Sequence, residues 1–151
     1  MRVGVLAVCG VAMATFATGV ATSQTQADLV TGAWACSADT ADGVVAGQMN
    51  YKPDGTMDAA VTVTMDMGGA TMTVDVTAKS TWKLLGGGLI EEQILSANAT
   101  GGRVGDEALP ESMLAMVSEG VPKDLGTSTI EVSSGQMVLV DGEGTRTVCT
   151  R

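Results

Sequence analysis

Between residues 56 and 84 the chain alternates apolar and polar positions with a period of two. Met57, Ala59, Val61, Val63, Met65 and Met67 fall on one side, with Thr56, Asp58, Ala60, Thr62, Thr64 and Asp66 on the other. This is the pattern of a half-buried strand. After Gly68-Gly69 the alternation resumes: Met72, Val74, Val76, Ala78 and Trp82 share a face opposite Thr71, Thr73, Asp75, Thr77, Lys79, Thr81 and Lys83. Two alternating runs joined by Gly-Gly predict a β-hairpin with one face buried and the other in water. At about 3.3 Å per residue its second strand would span some 45–50 Å unless strongly twisted or broken.

Six further strands are expected at 28–37, 44–52, 89–100, 127–133, 136–141 and 145–151. Turn-forming residues separate them, among them Pro53-Asp54-Gly55, Gly86-Gly87-Gly88, Ser134-Gly135 and Gly142-Glu143-Gly144. One segment breaks the series. In 106–122, Leu109, Met113, Leu114, Met116 and Val117 recur at three and four, Pro110 sits early, and Gly120 and Pro122 stop the run. This predicts a short amphipathic helix between the fifth and sixth strands. It reads either as a fixed cover for a barrel end or sheet edge, or as a movable lid over a ligand cavity. Eight antiparallel strands with one apolar face can close on themselves and so remove their edges. The fold expectation is therefore all-β: an eight-stranded antiparallel up-and-down barrel with one short helix inserted between middle strands.

The first residues read as an address. Met1-Arg2 is followed by an uncharged stretch from Val3 to Ala21 that ends in small residues at Gly19 and Ala21. This is the pattern of a signal peptide over 1–21, with a retained membrane helix as the competing reading. Residues 22–28 are polar and read as a disordered stub, and 29–151 as the barrel domain. An exported chain implies a periplasmic or secreted location, with no membrane span once the leader is removed. An outer-membrane barrel fits poorly. Its outward face must be apolar with aromatic girdles, whereas one face here carries Thr, Asp and Lys and the whole chain has four aromatics other than His.

Charge and composition narrow the function. The formal net charge is −9, with 17 acidic against 8 basic residues, so neither nucleic acid nor an anionic membrane surface is an expected partner. The chain has no His, which removes Ser-His-Asp and Cys-His catalysis and His-ligated zinc. Glu91-Glu92 and Asp106-Glu107 are adjacent acidic pairs; adjacent strand residues face opposite ways, so these read as solvated face or loop rather than acid–base machinery. Gly86-Gly87-Gly88 is followed by Leu89-Ile90 and makes no phosphate loop. Asp141 to Gly144 offers too few oxygens for a calcium site and reads as a turn. The expectation is a protein that is not an enzyme and carries no cofactor.

Once a leader containing Cys9 is removed, Cys36 and Cys149 remain. In an exported chain this pair reads as a disulfide, with two free thiols or two metal ligands as the alternatives. The two cysteines become neighbours only if the sheet closes. Linked cysteines on neighbouring strands point to one face, so Trp34, in phase with Cys36, and Arg151, in phase with Cys149, should meet in a cation–π contact. A β-bulge would put Arg146 there instead.

Gly32-Ala33-Trp34 on a first strand resembles the Gly-x-Trp signature of the lipocalin and calycin superfamily. There a basic residue of the last strand packs across the Trp, a role the resemblance assigns to Arg151 or Arg146. The segments YKPDGT and STWKLL are similar to stretches of small bacterial lipocalin-like proteins. Two departures stand out: the helix lies between middle strands rather than near the C-terminus, and the hairpin is long. Ligand class is therefore not carried over.

The leading functional expectation is an exported carrier or binding module for a small apolar ligand. The interior would be lined by Trp34, Met57, Val61, Val63, Met65, Met72, Val74, Val76 and Trp82. The alternatives are a filled, ligand-free structural or protein-interaction barrel and, for a Met-rich chain, a periplasmic copper site built from the thioethers of Met65, Met67 and Met72.

Overall fold

The computed structural model describes residues 24–151. The expected leader over 1–21 and the first two residues of the expected stub lie outside them.

The strands are β1 (Gly32–Thr40), β2 (Gly43–Tyr51), β3 (Thr56–Asp66), β4 (Thr71–Gly86), β5 (Leu89–Val104), β6 (Glu107–Ala108), β7 (Leu125–Val132), β8 (Gln136–Val140) and β9 (Arg146–Thr150). Eight of them form a closed antiparallel ring: β1-β2-β3-β4-β5-β7-β8-β9, with β9 pairing back onto β1. The two-residue β6 stands outside the ring as a tab on the end of β5. The predicted hairpin is β3–β4, in register from Thr56↔Thr81 to Asp66↔Thr71. Its turn is closed by the Met67 N–H donating to the Ala70 carbonyl, with Gly68 and Gly69 at positive φ. The sixteen-residue β4 is accommodated by register shifts against β5 at Asp75/Val76, Lys79/Ser80 and Leu84/Gly86. Such bulges bend and twist long strands.

The first strand differs from expectation. Residues 26–30 form a helix, α1 (Gln26–Val30), where the polar composition suggested a disordered stub merging into a strand. Thr25 and Asp28 form a reciprocal capping box that satisfies the first free N–H groups. Gly32, at φ +123°, then turns the chain into β1. Val30 is fully buried under this turn, and its carbonyl accepts from the Trp34 indole N–H at 2.7 Å.

The core divides in two. One cluster closes the end of the barrel beside α1 and contains Val30, Trp34, Cys36, Tyr51, Met57, Trp82, Ile90, Ile130, Met137, Leu139 and Cys149. Arg151 stacks over it, with its guanidinium carbon 4.0 Å from the Trp34 ring centre. The Arg151 nitrogens donate to the carbonyls of Leu29, Thr31 and Ser134, tying the chain end to α1 and to the β7–β8 turn. The β1–β9 register is unbroken and puts Arg151, not Arg146, over Trp34. A Cβ added at Gly32 would meet the Arg151 Nη1 at 3.0 Å, on top of the unfavourable φ. Gly32→Ala is expected to destabilise the fold by about 1–3 kcal/mol, read as a lowered urea midpoint. An unchanged midpoint would show that the Gly-x-Trp turn can relax.

The second cluster lies where β3, β4 and β5 extend beyond the short strands β7–β9. Val74, Val76 and Ala97 are buried there beneath Leu109, Leu114, Val117 and Val121 of α2 (Glu111–Gly120) and its flanks. The helix occupies Glu111–Gly120 of the expected 106–122 segment, starting after Pro110 and ending at Gly120 as the sequence indicates. Met113 and Met116, counted by periodicity on its apolar stripe, are exposed. Two polar stitches hold it to β5: the Ser118 Oγ accepts from the Ala99 N–H, and the Leu109 N–H donates to the Gly102 carbonyl. These contacts make α2 a packed cover of the extended sheet.

Cys36 and Cys149 are register partners across the β1–β9 seam and are joined as a disulfide, with Cα atoms 4.0 Å apart. No helix among the described residues is long and apolar enough to cross a membrane.

Candidate functional site

Inward-facing side chains follow from the register. Met49 and Tyr51 on β2, Met57 on β3, Ser80 and Trp82 on β4, and Glu92 and Ile94 on β5 share the inner face. Ser128 on β7, Leu139 on β8 and Thr147 on β9 continue it round the ring. The floor is rigidly built. The Trp82 indole N–H donates to the carbonyls of Lys52 and Thr56, gripping the Pro53-Asp54-Gly55 turn, and the Tyr51 ring meets it edge-on at 5.7 Å.

Above this floor is a cavity of about 460 Å³, lined by Met49, Tyr51, Met57, Ser80, Glu92, Ile94, Ser128, Leu139 and Thr147. Its mouth is formed by Pro122, Asp124 and Gly126 from the α2–β7 connection and by Asp141 and Thr145 from the β8–β9 turn. The size falls in the range of small-molecule pockets. Its walls are largely apolar, with a few polar groups concentrated deep inside and at the rim.

The deep polar groups are Tyr51, Glu92 and Ser80. The Tyr51 hydroxyl donates to the Glu92 Oε1 at 2.8 Å, joining β2 to β5 across the interior. Burial pushes the Glu92 carboxyl above its ordinary value of 4.5, against the opposing pull of the Tyr51 hydrogen bond. Burial and the neighbouring Glu92 push the Tyr51 phenol well above 10.0. Ser80 is only 2% exposed, and its Oγ has no hydrogen-bond partner. A buried polar atom left unpaired is destabilising, so its retention at a cavity wall marks a position where a ligand or water would complete the bonding.

A second hollow of about 410 Å³ lies on the outer face and includes Gln48, Asn50, Asp58, Thr77, Lys79 and Asn98. Asp58 there is already paired with Lys52 and Lys79, and no unpartnered buried side-chain polar atom lines it among the described residues.

The structure sorts the expected ligand residues. Met57 lines the cavity; Trp34 and Trp82 belong to the packed floor; Val61, Val63, Met72, Val74 and Val76 pack under α2. Met65 and Met72 are register partners, while Met67 follows at the hairpin tip, 60% exposed. Glu92 corrects the solvated reading of the Glu91-Glu92 pair: the two do face opposite ways, but Glu92 faces inward while Glu91 pairs with Lys83 outside. A signal for Ser80 exists in the sequence, because it occupies an even-numbered position between Ala78 and Trp82 on an otherwise apolar face. Tyr51 carries a signal too, since Met49 and Tyr51 alternate with Gln48, Asn50 and Lys52; Glu92 carries none, because residues 89–95 alternate too weakly to set a face.

The Glu92 shift has a pH consequence. With its folded value above 4.5, the native state holds a proton that the unfolded chain has already released. This contribution is fully present below 4.5 and is lost as pH rises through the folded value. Glu92→Gln, which keeps an acceptor for Tyr51 but no charge, is expected to remove that loss. Urea midpoints of the two proteins, measured from about pH 4 to about pH 8, should coincide at the acid end, with the variant more stable near neutrality. Parallel curves would contradict the assignment.

Compared with models of known protein families and with curated proteins, the chain matches none.

Proposed function

We propose that this protein is an exported, lipocalin-like binder of a small amphiphilic molecule, with no catalytic role. The observation that carries this reading is the 460 Å³ cavity whose deepest wall holds the unpartnered Ser80 Oγ beside the Tyr51–Glu92 pair. A buried hydroxyl without a protein partner and a desolvated carboxyl both cost stability, which a ligand's polar end would offset. A ligand with an apolar body and one polar end would lie along Met49, Met57, Ile94 and Leu139 and complete the polar set. Export is supported by the leader-like start and by the Cys36–Cys149 disulfide, a bond that persists in oxidising compartments.

The test is titration of the purified protein with the neutral fluorophore N-phenylnaphthylamine. Saturable binding at one site, with a dissociation constant on the order of micromolar, is expected. Ser128→Phe and Ile94→Phe, each placing a ring in the cavity from a different strand, should abolish it. Circular dichroism would show whether either variant retains the fold, since overpacking costs about 1–3 kcal/mol. Undiminished binding by a folded variant would place the site elsewhere.

A further inference from the structure

Resting on the binding reading above, we infer that the cavity selects ligands with a cationic, hydrogen-bond-donating head, an amphiphilic amine, over those headed by a carboxylate or phosphate. The inference rests on what lines the cavity. Three carboxylates surround it, Glu92 in its depth and Asp124 and Asp141 at its mouth, and no Lys or Arg lines it among the described residues. The cations adjacent in sequence to the mouth are Lys123 and Arg146, and neither lines the cavity.

The deep groups have hydrogen-bonding capacity to spare. The Tyr51 hydroxyl spends its one proton on the Glu92 Oε1, and Glu92 and Ser80, whose Oγ is unpartnered and can both accept and donate, line the same cavity. A primary ammonium brings three donors and one positive charge, and so can satisfy Glu92 and Ser80 together. An anionic head would instead meet like charge in a poorly solvated space with no cation to compensate. The formal charge of the chain, −9, acts in the same sense at longer range by drawing cations towards the mouth. The apolar wall formed by Met49, Met57, Ile94 and Leu139 requires a hydrocarbon portion, which separates this site from one for a bare metal ion or a polyamine.

The experiment compares octylamine, octanol and octanoate by isothermal titration at neutral pH and low salt, using the full disulfide-bonded protein. Octylamine is expected to bind most tightly, octanol more weakly and octanoate least. Glu92→Gln should weaken octylamine by at least about tenfold while leaving octanol within about twofold. Ser80→Ala, which is expected to fold because it removes an unsatisfied atom, should weaken both octylamine and octanol. Octanoate binding as tightly as octylamine, or Glu92→Gln weakening octanol and octylamine equally, overturns the charge selection while leaving a binding barrel intact. Failure of all three to bind overturns the binding reading and this inference with it.

Discussion

Replacing Cys36 and Cys149 together by alanine is expected to lower the unfolding free energy by about 2–5 kcal/mol. The bond spans a sequence separation of 113, so it ties almost the entire described chain into one loop. For a loop of roughly that length the chain-entropy model gives about 4–5 kcal/mol, and strain or residual unfolded structure reduces what is measured. Its position adds a local effect. The β1–β9 seam that closes the barrel has four register pairs, Ala35↔Thr150 to Ala38↔Thr147, against eleven between β3 and β4. Together with β7–β8, which also has four pairs, this seam is one of the two shortest junctions of the ring, and it is the one that the covalent link reinforces. Urea unfolding with and without reductant reads the global effect. Hydrogen exchange reads the local one, with amides of β1 and β9 expected to lose protection before those of β3 and β4. A midpoint that does not move on reduction would show that the seam closes unaided.

Trp34→Ala is the second large change, with an expected loss of about 3–5 kcal/mol. The indole is fully buried at the centre of the floor, where it fills the space between α1, the disulfide and Arg151. Its removal leaves a cavity, strands the Val30 carbonyl that accepted the indole N–H, and takes the aromatic face from under the guanidinium. Trp34→Phe should recover most of the packing but not the hydrogen bond, and Arg151→Lys should keep the charge while losing the planar fork that reaches the Leu29, Thr31 and Ser134 carbonyls. Both are expected to be milder than Trp34→Ala in thermal or urea unfolding. Equal destabilisation by all three variants would mean that the indole acts through Arg151 rather than through its own volume.

The cavity and the floor differ in how they treat polar groups. In the floor every polar reach is answered: the indoles of Trp34 and Trp82 and the guanidinium of Arg151 all end on backbone carbonyls. In the cavity Ser80 is unanswered and Glu92 is held above its ordinary acid range. Natural proteins violate local rules of polar satisfaction mainly where function requires it. That contrast within one barrel is why the proposed binding site is placed at Tyr51, Glu92 and Ser80 rather than among the valines of the long hairpin.

The position of the cavity is only partly legible in the sequence, and the reason is specific. The β3–β4 alternation correctly identifies an inward face, but inward is not the same as cavity-lining. Val61, Val63, Val74 and Val76 face inward and are covered by α2, because β3 to β5 run beyond the short strands and the helix folds over the excess. The extent of that overhang follows from which residues pair across the ring. Leu125 of β7, for example, enters the sheet opposite Gln93, well short of the end of β5. Likewise Met137 and Leu139 alternate with Val138 and Val140, so that composition hides which pair is buried.

Local chemistry along the chain was enough to determine the period-two strands, the turns at glycine and the single helix between β5 and β7; it offered Cys36 with Cys149, and Trp34 with Arg151 or Arg146, and the in-register closure of the ring decided both. The strands, turns and helix depend on parity within a strand or on residues adjacent in the chain. The capped helix at the start, the division of the interior into floor, cavity and helix-covered overhang, and the meeting of Tyr51 with Glu92 across 41 positions were decided only in three dimensions. They depend on strand register and relative strand length around a closed ring, and those are properties of the whole set of pairings that no single segment carries.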